Sequence, residues 1–268
     1  MLTIVGELIN TSRTEVDEAV AARDEAKIRQ LARAQEDAGA TYIDVNCGSR
    51  LEDEAETMAW LVPIVQDEVS IPLCIDSPDG EVLKVGLAAY DNSRGPAMVN
   101  SISGEDGRYE SIFPVVQEYG ANVVLLCMDS SGMPETADDR MKVVDTLYAR
   151  LKADRFEDDR MYFDAVVKPV GASITAGVEV LETNRRIHEN YPDVHQILGL
   201  SNISYGLPHR GRLNRVFILQ TMAMGVDGYI INPTLKQTMA DIITSQTLLG
   251  LDKSCKRYLK ANKNGMFD

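Results

Sequence analysis

Carboxylates and carboxamides recur in this chain at one kind of place, the polar end of a short apolar run. TIVGELIN carries Glu7 and Asn10, YIDVNCG carries Asp44 and Asn46, and LCIDS carries Asp76. AMVNSIS adds Asn100 and Ser101, and MYFDAVVKP adds Asp164 and Lys168. QILGLSNIS adds Asn202 and Ser204, and GYIINP adds Asn232. An ionised carboxylate can accept two parallel N–H bonds from a guanidine-like edge, and an amide both donates and accepts. Burying so many polar groups around one mouth is costly unless something pairs with them. A flat, polar small molecule with several donors and acceptors would do so. Any one of these residues could instead cap the helix that follows its strand, and Asp76-Ser77-Pro78 alone reads that way.

The elements that must position them follow from the spacing. Eight apolar runs occupy residues 3–10, 42–48, 73–77, 97–103, 122–129, 161–169, 196–204 and 228–233. Each is rich in Val, Ile and Leu and ends in polar or turn residues, as parallel strands covered on both sides do. The segments between them have helical spacing. AARDEAKIRQLARAQEDAGA sets Ala26, Ile28, Leu31, Ala34 and Ala38 along one stripe and stops at Gly39. Further helices are expected at 53–69, 79–90, 107–119, 138–153, 174–190, 211–225 and 234–250. Eight strand–helix units in about 250 residues specify an α/β fold of the (β/α)8 TIM-barrel type. One domain is expected over residues 1–268. A doubly wound sheet is the second choice, because no G-x-G-x-x-G turn is present. In a barrel the C-terminal strand ends converge on one active-site face. Asp44 and Asn46, two apart, share a strand face, and Lys168 falls in phase with Asp164 if that strand runs to residue 169.

Composition bounds the ligand. The chain has 268 residues, is 44% hydrophobic and carries a formal charge of −14. Such acidity argues against nucleic acid, whose phosphates call for Lys and Arg. No apolar run approaches the roughly 20 residues of a membrane span. MLTIVGELIN lacks the basic start and small-residue cleavage site of a signal peptide, so a cytoplasmic protein is expected. Cys47, Cys74, Cys127 and Cys255 are scattered. The first three lie in apolar runs and read as small buried hydrophobes, and no bound metal is expected. The mouth is poor in Lys and Arg and has no evident Gly-rich phosphate loop, which disfavours a sugar phosphate.

The ordered series GELIN, DVNCG, CIDS, MVNS, YFDAVV and LGLSNISYGLPHRGRLNR resembles the pterin-binding barrel family from residue 4 to about 235. It is most similar to methyltetrahydrofolate:corrinoid-protein methyltransferases. The folate domain of cobalamin-dependent methionine synthase and dihydropteroate synthase are more distant. The resemblance implies a methyl transfer between N5 of tetrahydrofolate or 5-methyltetrahydrofolate and the cobalt of a corrinoid, in either direction. It implies that Asp76, Asn100 and Asp164 hold the pterin ring. Asp164 would take the N3–H and 2-amino donors, and Asp76 and Asn100 the other edge. Asp44 and Asn46 would line the same pocket, and Ser204, Lys168 and Arg210 would also contact substrate. Asn202 would be the catalytic residue, set near N5. N5 must gain a proton or a strong hydrogen bond as charge changes there. An amide does not titrate in this range, so Asn202 would donate the bond while water or a carboxylate relays the proton.

A base-off cobalamin module presents D-x-H-x-x-G. Asp193 to Gly199 approaches that pattern with one residue too many, and His195 reads as a loop histidine at the barrel bottom. The corrinoid, cobalamin, would then be carried by a separate corrinoid protein. The loop Gly206–Arg212, with His209, Arg210 and Arg212, would help to dock it or touch the folate glutamate tail, unless it is a solvated loop and helix start. Relatives imply a homodimer. Three departures stand out: Leu8 where the family has Arg in G-E-R-x-N, Ala165 where Pro follows the strand-6 Asp, and the added cation Lys168.

Three other readings compete. A lysine at a barrel strand end could form a Schiff base, as in aldolases. A dihydropteroate synthase-like enzyme would need cationic groups for pyrophosphate near the first and last strands, and KRYLKANKNGMFD offers no Arg-x-His turn. A non-catalytic folate-binding protein would keep the pocket alone.

Overall fold

Parallel neighbours cannot be joined by a tight turn, so each apolar strand here is followed by a helical crossover. The computed structural model describes residues 2–268. The chain runs β1 (Thr3–Asn10), α1 (Thr14–Ala21), α2 (Glu25–Asp37), β2 (Tyr42–Asn46), α3 (Glu54–Glu68), β3 (Leu73–Asp76), α4 (Gly80–Ala89) and β4 (Met98–Gly104). It continues through α5 (Arg108–Tyr119), β5 (Asn122–Asp129), α6 (Ala137–Ala153), β6 (Met161–Asp164) and α7 (Ala176–Asn190). It ends with β7 (His195–Leu198), α8 (Arg210–Ala223), β8 (Gly228–Ile231), α9 (Lys236–Leu248) and α10 (Lys256–Lys263). The strands pair in chain order and β8 closes on β1, all parallel. This is the expected (β/α)8 barrel in one domain.

Strand register builds the interior in layers. Asp44 lies opposite Cys74, and Cys74 opposite Met98. One step up, Asn46 lies opposite Asp76, and Asp76 opposite Asn100. Below them Val5, Cys74, Met98, Val124, Tyr162 and Ile197 pack together as an apolar floor. The barrel is therefore a filled core whose last layers turn polar towards the C-terminal face. Cys47, Cys74 and Cys127 are free and buried, as their apolar surroundings predict, and Cys255 is exposed.

Two strands stop earlier than hydrophobicity suggests. β6 ends at Asp164, because Val166 takes a left-handed φ of 53° and the chain leaves the ladder. Lys168 is consequently off the strand, and the expected phase with Asp164 is lost. β7 ends at Leu198, and Leu200–Ser204 coils into a 3₁₀ turn that carries Asn202 and Ser204. The helix expected from residue 21 begins at Glu25, as α2, after Arg23 turns left-handed at φ 51°, and α1 ends where the expected segment begins. Asp24 then caps α2 by accepting from the Lys27 amide at 3.1 Å. Gly39 does terminate that helix, at φ 102°. The closing helix α10 follows no strand and was outside the eight-unit count.

Close approach of α4 to the sheet depends on one glycine. A Cβ at Gly86 would stand 2.6 Å from Ile75 Cγ2 of β3 and 2.9 Å from Met58 Cγ of α3. Both neighbours are fully buried. Gly86→Ala should therefore destabilise the protein by roughly 1–3 kcal/mol, the usual cost of overpacking, seen as a lower urea midpoint. A midpoint equal to or above that of the parent would show that α4 can shift outward freely.

Candidate active site

Short polar side chains at strand ends have two uses, and the structure divides them. Five fold their own loops by accepting from the amide two residues on, the Asx turn. Asn10 accepts from Ser12 at 2.9 Å, Asn46 from Gly48 at 3.1 Å, and Asp129 from Ser131 at 2.9 Å. Asp164 accepts from Val166 at 2.7 Å, and Asn232 from Thr234 at 3.0 Å. The capping alternative thus holds for part of the polar ring, and Asn232 is occupied with its turn. Asp129 ends β5 in the same way, although sequence reading passed over it.

Asp76 and Asn100 make no such turn. Asn100 Nδ2 donates to Asp76 Oδ2 at 3.1 Å. Asn46 uses its oxygen on the Gly48 amide and stands opposite Asp76, where its side chain helps to hold the carboxyl down. The three form one polar row on β2, β3 and β4. Burial pushes the Asp76 carboxyl up to about 6, and the nearby Glu54 adds to the rise while the two amides oppose it. Glu54 is buried at the start of α3 and accepts from Ser77 Oγ at 2.7 Å. Sequence reading missed Glu54, because a first-turn acid is an ordinary helix signal.

Asp44 sits one layer deeper and is 2% exposed. Among the described residues its Oδ1 has no hydrogen-bond partner, while the Cys74 thiol donates to the carboxyl. Desolvation holds its pKa well above the ordinary carboxylate range, and the charges of Asp76 and Glu7 push the same way. Glu7 on β1 is also raised by burial, opposed by Arg13, whose Nη2 lies 3.3 Å away, and by Arg210.

Across β6 and β7 a second acceptor is built from backbone donors. Asp164 is 6% exposed and takes Val166 N–H on Oδ1 and Gly199 N–H on Oδ2, the latter at 3.1 Å. Burial raises it to about 6, and both amides and Arg140 oppose the rise. Each oxygen retains a second lone pair, so the carboxylate can still receive a bidentate donor. Asn202 is exposed on the 3₁₀ turn. Its neighbours are engaged within the protein. Ser204 is buried, donates to Ser201 O at 3.2 Å and accepts from Arg210 Nε at 3.1 Å. Arg210 Nη2 also holds Ser201 O at 2.8 Å. Ser204 and Arg210 thus brace the turn that presents Asn202. Lys168 pairs with Glu135 on the loop after β5. His195 begins β7 at the opposite barrel end, with Nδ1 2.6 Å from Asp227 Oδ2 and its ring stacked on Tyr162. Among the described residues no group of three or more His, Cys, Asp or Glu could hold a metal ion.

An acid with a raised folded pKa binds its proton more tightly folded than unfolded. Its stability cost is present above the folded pKa and vanishes below the ordinary value of 3.8. Asp44→Asn should therefore stabilise the protein at pH 8, with the gain shrinking to nothing towards about pH 4. Urea midpoints across that range measure it, and a gain independent of pH would refute the desolvation account.

Comparison with known proteins places this geometry. Residues 6–232 match the family described as Pterin binding enzyme. A methylcorrinoid:tetrahydrofolate methyltransferase of Eubacterium limosum is 36% identical over 98% of this chain and 97% of its own length. The methionine synthase of Mycobacterium tuberculosis is 28% identical over 93% of this chain, which spans only 22% of that protein. Among solved structures, dihydropteroate synthase of Xanthomonas albilineans, in complex with 7,8-dihydropteroate, superposes with a TM-score of 0.67 over 94% of both chains at 19% identity. That of Stenotrophomonas maltophilia gives 0.67 over 92% of both at 20%. At such identities these structures speak for the fold alone. No helix of the described residues is long and apolar enough to cross a membrane. With the family matched across most of its length and a relative alignable from end to end, the chain belongs to the pterin binding enzyme family.

Proposed function

We propose that the protein is a methyltransferase that moves a methyl group between N5 of tetrahydrofolate and the cobalt of a corrinoid carried by a separate protein. The observation that carries this reading is the inward row Asn46–Asp76–Asn100 facing a buried Asp164, in a chain 36% identical to a methylcorrinoid:tetrahydrofolate methyltransferase. Asp164, ionised, accepts from N3–H and the 2-amino group. Asp76 and Asn100 meet the remaining ring edge, with Asn46 and Asp44 behind them. Binding in this way fixes the ring plane and leaves N5 towards the β7–α8 turn. Asn202 donates a hydrogen bond there, stronger in the transition state than in the ground state. The proton moves through water or a carboxylate, and the acidic wall of Glu7, Asp44 and Asp76 favours positive charge on the ring. Alignment of the methyl group with an incoming cobalt supplies much of the rate, since orientation is worth up to about 7–11 kcal/mol.

His195 is engaged with Asp227 at the far end of the barrel, which supports a corrinoid supplied by another protein. Ser204 and Arg210 act on Asn202 through the turn they brace. The Lys168 amine is engaged by Glu135, which disfavours a Schiff base there. The family's pterin site and the absence of a pyrophosphate pocket in the sequence favour methyl transfer over dihydropteroate synthesis. Free, mostly buried thiols suit a reducing compartment, and we read the protein as cytoplasmic.

We also infer a homodimer. Val178 of α7 and Val216 of α8 are 65% and 51% exposed on an apolar groove that also includes Leu181, Leu207 and Leu213. A second copy presenting the same face would cover it. Val216→Asp should then halve the sedimenting mass, and a parent protein that sediments as a monomer would refute the dimer.

The activity test is spectroscopic: methyl-cobalt appears when the protein is mixed with 5-methyltetrahydrofolate and Co(I) cobalamin, or disappears in the reverse reaction. Asn202→Ala should slow transfer roughly 10²-fold or more, and Asn232→Ala much less. Equal losses would undo the role given to Asn202. Tight pterin binding without any transfer would mark a binding protein instead.

A further inference from the structure

Arg140 on α6 is 0% exposed and heads the largest fully buried side chains. Its guanidinium meets three backbone carbonyls. Nε donates to Ala165 O at 2.5 Å, Nη1 to Thr136 O at 3.1 Å, and Nη2 to Val166 O at 3.1 Å. A charge withdrawn from water and hydrogen-bonded only to carbonyls, with the carboxylates of Glu179, Asp139 and Glu135 nearby but not bonded to it, is costly, and an apolar side chain would fill the space more cheaply. The carbonyls it grips explain the outlay. Two belong to the residues directly after Asp164. Between them Val166, a β-branched residue, stands at φ 53°, where such side chains are strained. That conformation turns the Val166 amide back onto Asp164 Oδ1 at 2.7 Å. The third carbonyl belongs to Thr136, whose side chain caps α6 and is locked in a reciprocal box with Asp139. The guanidinium therefore ties a strained turn to a rigid helix start.

We propose that Arg140 is a positioning residue for the substrate-binding carboxylate of Asp164: its fork holds the left-handed turn at Val166 and so keeps Asp164 aimed into the barrel mouth. The proposal rests on the reading of Asp164 as a pterin ligand. The planar fork matters as much as the charge, because three carbonyls in different directions need donors in fixed geometry. Arg140→Lys keeps the charge and loses that geometry. The turn relaxes, the Val166 amide swings away, and Asp164 loses one of its two backbone donors. The nearby Arg140 charge and both amides hold the Asp164 carboxyl down against burial, so their loosening raises it.

The test uses the full chain with side-chain 13C-labelled aspartate. In Arg140→Lys without ligand, the Asp164 carboxyl should titrate at higher pH than in the parent, while that of Asp76 stays in place. The dissociation constant for tetrahydrofolate, measured by calorimetry, should rise roughly tenfold to a hundredfold, the scale of losing a supporting shell. Val166→Gly allows the left-handed turn without strain. Added to Arg140→Lys, it should recover part of both effects, and it carries the same readouts if the single variant does not fold. An unmoved Asp164, or equal movement of Asp164 and Asp76, would overturn the proposal by making Arg140 a general packing residue. If the parent binds no tetrahydrofolate, the folate reading fails on its own, and the two carboxyl titrations still decide the role of Arg140.

Discussion

Carboxylates kept from water with few cations near them are the constraint around which this barrel is organised. Asp44, Asp76 and Asp164 all stand on interior faces, and burial raises each of them. Removing them from water costs stability, so the sheet must supply donors or leave the cost for a ligand to offset. It does both. Asp164 receives two backbone amides and Asp76 stands between two carboxamides, whereas one oxygen of Asp44 is left without a partner among the described residues. Closing the sheet is what makes this possible. Eight strands without an edge form a wall rigid enough to hold like charges near one another against their repulsion.

That constraint also accounts for the division of labour among strand-end residues. The polar ring is not uniform. Five members spend an oxygen on the local backbone and shape loops, and the Asn46–Asp76–Asn100 row remains directed across strands. Asn46 belongs to both groups, and for Asp164 the turn is also its positioning device. The cations near the mouth are engaged as well. Arg13 answers Glu7, Lys168 answers Glu135, and Arg210 braces the turn of Asn202. The interior therefore stays net acidic, which suits a ring with N–H donors on its edges more than an anion.

Much of this was legible in the residues. β1 and β5 coincide with TIVGELIN and NVVLLCMD end to end, because each is continuous in Val, Ile and Leu and closes on an Asx residue. The shared face of Asp44 and Asn46 followed from alternation alone. β6 and β7 were drawn too long, since DAVVKP and GLSNIS stay apolar after the ladder ends. Nothing in the composition of AVV announces a left-handed Val166. Arg140 was invisible for a related reason: within a predicted helix it looks like any solvated arginine, and only the folded turn beside it supplies its carbonyls. Glu54 hid as a helix-start acid. The motif series picked out the row Asn46–Asp76–Asn100 and the buried Asp164.

The Asx turns have a consequence for how such a rim can diverge. Each of those loops takes its first bend from the residue that ends its own strand, with the bond closing over two positions. Apart from the Asp164 turn, which Arg140 ties to α6, its opening geometry is thus specified locally, with little help from adjacent loops. Single rim segments could be lengthened, exchanged or recharged, and the layers lower in the barrel would remain undisturbed. Modularity of that kind lets a rim vary while the interior beneath it is kept.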